Sequence, residues 1–400
     1  MNMKSVWTVL ALAAVGAANA QVNTVNSVII NSRVFNDVPT SNFSSVNNYP
    51  TNVTLSDLNV SAGSGWANRH VWRASKDGIT EYTTTGPDDT FEVFYDLTVT
   101  GAISPRKEAG FLMSTVVHPT HWPLSEWQYI VNSDAGEVVI FGFPSPFYSF
   151  NGSQGVFYTQ GSTRRLGLRY YKDKVTNRYR FRYFVDGFQS PALNLERWID
   201  TNLNQDIDFS VVGLSAGTKI GGYLQVVNDG GNPNNGATAV FSNITIDPYP
   251  AIKGNVTLED LAVSPAGKEL SIEIRNVGST TPIETITGIM RADGTYAAKP
   301  NVPNGNYDIA IKGPTHLRKK IANVTITNDG ASNVNASLKN GDCDGDNEVG
   351  IGDYAVLSGA YNTNLGDPGY AANADLNCDT AVDIADYAIL SGNYSLFGDD

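Results

Sequence analysis

The sequence predicts a mainly β protein, two β-sandwich units in series followed by a small α-helical unit, and three observations predict it. From residue 21 to about Asp247 the chain is rich in Gly, Asn, Thr and aromatic residues, set in short alternating runs with turn clusters at intervals of about ten residues. A second set of short alternating runs fills residues 252–338. Residues 342–400 break the pattern: one acidic loop occurs twice there, each copy leading into a helix-like run, and repetition this close signals duplication.

Residues 1–20 carry Lys4, an apolar run from Val6 to Ala18, and Ala18-Asn19-Ala20, which has the small-x-small form of a signal-peptidase site. A secreted protein beginning at Gln21, extracellular or on the cell surface, is the expectation. No later run approaches the ~18 apolar residues of a membrane span. The remaining length exceeds what one core usually holds. Export and the absence of a net basic domain, in a chain of net charge -13, disfavour nucleic acid as a partner.

In 21–247, Phe91 to Val99 places apolar residues at odd positions and mostly polar ones at even positions, the period of a half-buried strand. Leu166–Tyr171 and Arg178–Val185, joined by 172–177, read as a hairpin, and Gly222–Val227 and Ala239–Ile246 as closing strands. With Val185-Asp186-Gly187 ending a central hairpin and Phe241-Ser242-Asn243-Ile244 closing the sheet, this order resembles a concanavalin-type lectin/glucanase jelly roll. The resemblance implies a sheet that holds a carbohydrate.

No carboxylate pair at catalytic spacing emerges from the strands of this unit. Glycosidases need two carboxyls about 5 to 9.5 Å apart, and Glu92 and Asp96, four residues apart on one strand face, stand roughly 13 Å apart. The Glu-x-Asp-x-x-Glu strand of the glucanases has no match, and a cross-strand pair drawn from Glu92, Glu126 or Glu137 stays open. His118-Pro119-Thr120-His121 reads as a loop and not a metal site, because Pro119 opposes a helix and no further ligand follows at spacing. Trp122 sits in a loop where it could stack on a sugar ring, whereas Trp66, Trp72, Trp127 and Trp198 read as core. Arg178, Arg180 and Arg182 alternate with Tyr179, Phe181 and Tyr183, so they share a face with Arg165 and Arg169. An arginine row can read carboxylates in pairs, or be neutralised by Glu92 and Asp96.

Asp247-Pro248-Tyr249-Pro250 is a linker by composition. In 252–338 the strands are Gly254–Leu258, Leu270–Arg275, Ile286–Arg291, Asn306–Lys312 and Ile321–Thr327, with turns at Asp293-Gly294 and Pro303-Asn304-Gly305. Those turns resemble the prealbumin-like sandwich of carboxypeptidase regulatory-like domains, which implies a spacer.

In 342–400, oxygens recur as a hard cation requires, from loop positions 1, 3, 5, 7 through its carbonyl, 9 and 12. The first loop offers Asp342, Asp344, Asp346, Glu348 and Asp353; the second offers Asp375, Asn377, Asp379, Ala381 through its carbonyl, Asp383 and Asp386. Two calcium ions are expected. Gly350 at position 9 gives no side-chain oxygen, so the first site should be the weaker. Position 6 must turn through positive φ, which Asn347 tolerates and Thr380 resists. Val349 and Ile351, with Val382 and Ile384, are expected to pack the loops against each other. Twelve Asp or Glu and no Lys or Arg lie between Asp342 and Asp400, so the acidity of the chain is local. A duplicated calcium loop with Asp at position 12 and one helix after each resembles a dockerin domain, with Ile351-Gly352 and Ile384-Ala385 at the family's cohesin-reading positions. The resemblance implies a cohesin-like or other surface module as partner. Cys343 and Cys378 both fall in these loops, and an even pair in an exported protein predicts a disulfide.

Together these readings describe a secreted polysaccharide-binding protein, non-catalytic, that docks through a calcium-dependent tail. A glycoside hydrolase or polysaccharide lyase recruited by that tail, and a matrix protein rigidified by calcium, are the alternatives.

Overall fold

The structure, a computed structural model, describes residues 25–117, 125–202 and 204–400. The expected signal segment, the 118–121 loop histidines and Trp122 lie outside the described residues. The fold is mainly β, as expected.

The first unit stacks two antiparallel sheets. One has seven strands in the order Ser27–Asn36, Ala67–Ser75, Gly221–Val227, Lys107–Thr115, Ser125–Asn132, Val138–Phe141 and Tyr148–Ser149. The other runs Phe188–Gln189, Arg178–Val185, Thr163–Asp173, Phe91–Gly101, Gly236–Pro248, Asn52–Leu58 and Asn42–Asn48, with Leu193–Asn194 also paired to Arg178–Val185. Alternation decides which side chains meet between them: Phe91, Val93, Tyr95, Leu97 and Val99 are all buried in the same core as Trp72, Phe111, Trp127, Tyr129 and Phe241. Tyr95 packs against Phe111 and Phe241 at centroid distances of 4.2 and 5.1 Å. An aromatic side chain buries on the order of 200 Å², so each contributes several kcal/mol, at ~25 cal/mol per Å², to holding the sheets together. Trp66 departs from the core expectation, being 55% exposed.

Residues beyond Asp247 form a second sandwich. Glu269–Asn276 is flanked by Pro282–Ile289 and Gly305–Lys312, and Lys319–Ile326 completes that sheet. Ala251–Leu258 pairs Thr295–Ala298, Gly330–Ala331 and Ala336–Leu338 in the facing one. The strand expected at Ile286–Arg291 begins and ends earlier, because Lys268 to Met290 closes the hairpin and Arg291 turns away to bond Asp247.

That bond corrects the linker reading. Strand Gly236–Pro248 runs into the stretch, and Tyr249 is 6% exposed. Lys253 Nζ donates to Asp247 Oδ2 at 2.6 Å and also to Glu92, while Arg291 pairs with Asp247. The Arg291 and Lys253 cations hold the Asp247 carboxyl below its usual range in spite of its burial. A solvated, composition-typical linker has become a packed joint.

The tail has helices at Ile351–Ala360 and Ile384–Gly392, each following its loop. Val349 and Val382 are fully buried with Leu357, Leu376 and Leu390, and Leu317 of the second sandwich completes the cluster. Ile351 and Ile384 do not join it. They are 72% and 64% exposed, because each sits at the first turn of a helix whose buried face is carried by Leu357 or Leu390.

Candidate functional site

Both acidic loops fold by aiming backbone N–H groups at their own carboxylates. In the first, Gly345 N and Asn347 N donate to Asp342 at 2.7 and 3.1 Å, and Asp344 N and Gly350 N donate to Asp353 at 3.0 and 2.7 Å. In the second, Thr380 N donates to Asp375 Oδ2 at 3.0 Å, and Leu376 N and Asp383 N donate to Asp386 at 2.7 and 2.9 Å. Position 6 turns through positive φ in both, at 74° for Asn347 and 79° for Thr380. A Cβ at Gly352 would lie 2.1 Å from Asp344 Oδ2 and would displace that carboxylate.

These bonds leave oxygens converging on one point. Carboxylate oxygens of Asp342, Asp344 and Asp353 lie within 4.8 Å of one another. In the second loop Asp375 is 4% exposed, its Oδ2 accepts a hydrogen bond from the Tyr370 hydroxyl at 2.7 Å, and its Oδ1 is buried without a partner. Burial and the neighbouring acids push the Asp344 and Asp386 carboxyls up, the signature of packed anions lacking a counter-charge. Hard oxygens at this spacing fit a calcium ion. Asp346, Glu348, Asn377, Asp379, Ala381 and Asp383 stand in the loop positions expected of them, and Asp379 N bonds Asn377 Oδ1 at 2.9 Å.

The disulfide is corrected. Both cysteines are free thiols. Cys343 turns into the tail core, where burial first and then the nearby aspartates push its thiol up to about 12. Cys378 is half-buried, its Sγ accepting from Lys268 Nζ of the second sandwich at 3.0 Å. One thiol is packed in the tail core and the other is held against Lys268, so the two do not meet.

Beside the loops, the two helices present Ile351, Tyr354, Tyr361, Ile384 and Tyr387, each at least 41% exposed. Tyr354 and Tyr387 sit edge to face at 6.4 Å.

In the first unit, Glu92, Glu126 and Glu137 are each tied to an arginine and do not form the cross-strand pair that the sequence left open. Glu92 lies on the outer face of the eight-stranded sheet, bonded to Arg169 at 2.8 Å; Glu126, on the outer face of the other sheet, bonds Arg69 at 3.1 Å; Glu137 pairs with Arg106 at 3.4 Å. The outer face of the seven-stranded sheet holds a polar layer that the sequence did not point to. Arg69 donates to Gln225 at 2.9 Å, Gln225 to Glu108 at 3.3 Å, Tyr223 to Gln128 at 3.2 Å, and Arg73 to the Leu112 carbonyl at 2.6 Å. Arg69 lies 5.5 Å over the Tyr223 ring, and burial raises the Glu108 carboxyl and holds the Tyr223 phenol far above its ordinary value. Its members come from four strands and share only even spacing on each, Arg69 with Arg73, Glu126 with Gln128, Tyr223 with Gln225.

The arginine row is mostly neutralised. Arg165 bonds Asp96 at 3.2 Å, Arg178 bonds Asp208 at 2.7 Å, and Arg180 bonds Asp173 at 3.2 Å. Among the described residues Arg182 makes no ion pair, and its Nε is buried without a partner.

No protein-family profile matches the chain, and no curated protein matches it. Among solved structures it is similar to a type II cohesin-X-dockerin complex mutant from Acetivibrio cellulolyticus, with TM-score 0.30, 23% identity, 37% of this chain and 97% of that one. It is also similar to an alginate lyase from Pseudomonas aeruginosa (TM-score 0.34, 13% identity, 52% and 85% covered) and to alginate lyase A1-II' of polysaccharide lyase family 7 (0.31, 14%, 49% and 79%). Likeness at this level assigns no function. Among the described residues no helix is long and apolar enough to cross a membrane.

Proposed function

We propose that this is an exported, modular protein that binds a polysaccharide through its jelly roll and docks to a partner module through a calcium-organised tail. The observation that carries the reading is the orphaned Asp375 Oδ1, buried at the centre of a loop whose twin gathers three carboxylates. An unpaired buried carboxylate oxygen is costly, and a divalent cation supplies the missing charge. Asp342, Asp344, Asp346, the Glu348 carbonyl and Asp353 would hold one ion; Asp375, Asn377, Asp379, the Ala381 carbonyl, Asp383 and Asp386 the other. Calcium would neutralise the loops and fix both helices, and the exposed Ile351, Tyr354, Ile384 and Tyr387 would then form an apolar docking face for a cohesin-like module.

On the jelly roll, the partly exposed Arg69, lying over the buried Tyr223 and bonded to the buried Gln225, would be the donor to sugar hydroxyls and carboxylates. Binding is favoured over cleavage because Glu108 and Glu126 are each held by arginine or glutamine, and the Tyr223 phenol keeps its proton. Calorimetry of calcium into the full chain, with a polysaccharide panel assayed for retention and for released ends, tests both halves. Calcium heats and retention without release are expected; release of sugar ends that disappears in Glu126→Gln would replace this reading with an enzymatic one.

A further inference from the structure

We propose that the joint between the jelly roll and the second sandwich holds a site for an oxyanion substituent of a polysaccharide, a uronate carboxylate or a sulfate ester, with Arg182 as its principal contact. The proposal rests on the polysaccharide reading above and adds to it a second surface, on the opposite sheet from the Arg69 layer.

Arg182 faces Arg169 directly across the Thr163–Asp173 and Arg178–Val185 pair. Arg169 is fully engaged: it bonds Glu92 twice through one oxygen, at 3.0 and 2.8 Å, reaches Asp329 at 3.6 Å, and lies 4.0 Å over the Tyr249 ring. Arg182 has none of this. A guanidinium beside another, with a buried N–H unsatisfied, is destabilised by repulsion and by desolvation together, and an anion in the cleft relieves the repulsion.

The space for one exists. A cleft of about 170 Å³ opens between the two units, lined by Arg169, Arg182, Lys172, Lys174, Tyr249 and Asp329 among others. Four cationic side chains there face two carboxylates, Asp173 and Asp329, so the cleft is locally basic in a chain of net charge -13. Whole small ligands fill cavities of roughly 300 Å³ and more. A cleft of this size takes one charged group of a longer molecule, and planar or tetrahedral oxyanions match the arginine fork. Because Tyr249, Asn328 and Asp329 lie beyond the jelly roll, the second sandwich becomes part of the binding surface and not only a spacer.

Affinity electrophoresis of the full chain through gels containing polygalacturonate, dextran sulfate or neutral dextran tests this, with Arg182→Gln and Arg178→Gln compared at two salt concentrations. Retardation by one acidic polymer should weaken about tenfold in Arg182→Gln, fall with salt, and change little in Arg178→Gln, whose charge Asp208 already holds. Which acidic polymer responds identifies carboxylate or sulfate. Asp329→Asn should strengthen retardation by removing a competing carboxylate. Acidic-polymer retardation that Arg182→Gln leaves intact overturns the site while the polysaccharide reading stands; no retardation by any polymer overturns both. Equal, Arg182-dependent retardation by poly-glutamate overturns the polysaccharide assignment.

Discussion

Lys312, at the end of a strand of the second sandwich, donates to Oδ2 of Asp342, the first carboxylate of the first loop, whereas the matching oxygen of Asp375 in the second loop is held by the neutral hydroxyl of Tyr370. In both loops the position-6 N–H bonds that same oxygen; Asp375 Oδ1 is then left without a partner, whereas Asp342 Oδ1 accepts from Gly345 N at 2.7 Å. The two position-1 carboxylates therefore differ by one positive charge brought in from a neighbouring unit. Lys312 also donates to the His316 carbonyl at 3.0 Å, which pins it there.

A cation next to a ligand oxygen repels a second cation. Lys312→Met should raise calcium affinity at the first loop by about tenfold or more and leave the second loop unchanged, read as two resolved steps in calorimetry of the full chain. Identical isotherms for both proteins would remove Lys312 from the account.

The second loop should fill first, since it has side-chain oxygens at positions 1, 3, 5, 9 and 12 and no lysine on its position-1 carboxylate. Asp375→Asn should abolish the tighter step and Asp353→Asn only the weaker, each lowering affinity at its own loop at least about tenfold, because affinity follows ligand charge. Equal losses from both substitutions would mean that the order of filling is wrong.

Two free thiols imply a definite labelling pattern. In the native, unreduced protein Cys378 should react with a thiol reagent and Cys343 should not, its thiol being 4% exposed and pushed up to about 12. Denaturation should release both; no thiol after denaturation without reductant would restore the disulfide.

His316 is buried between the second sandwich and the tail, its Nε2 3.2 Å from the Glu259 carbonyl, and burial lowers its pKa from 6.5 to about 4. Lys312 and Lys268 act in the same direction, while Glu259 opposes them. Since the folded value lies below the unfolded one, the unfolded chain binds the extra proton between them. Stability from this group is complete above about pH 6.5 and is lost as pH falls toward 4, by up to ~3 kcal/mol. Thermal midpoints of the wild type and His316→Gln should converge as pH is lowered through that window; parallel curves would refute it.

The strands and loops were legible where the signal is local. Alternation from Phe91 to Val99 places Tyr95 and Leu97 in the core, and oxygen spacing from Asp342 to Asp353 anticipates carboxylates that do converge, with positive φ at Asn347 and Thr380. Readings failed where partners are distant in the chain. Nothing near Asp247 announces Arg291, 44 residues on, so a Pro-rich stretch read as a linker. The layer of Arg69, Gln128, Tyr223 and Gln225 is assembled by strand order, which spacing on a single strand does not disclose. Ile351 and Ile384 read as packing residues because composition does not say which way the first turn of a helix faces. The cysteines read as a pair because loop membership says nothing of side-chain direction.

The joint at Asp247 also bears on how two binding events would combine. A flexible tether gives a second event an effective concentration set by its length and forgiving of orientation. With Asp247 clamped by Lys253 and Arg291, and the tail stitched back through the Arg318 N to Asn347 and Asp399 N to Arg318 bonds, reach is replaced by angle. A polymer and an anchor at the right inclination would be held together with high avidity, and a pair at the wrong one would gain almost nothing from being linked.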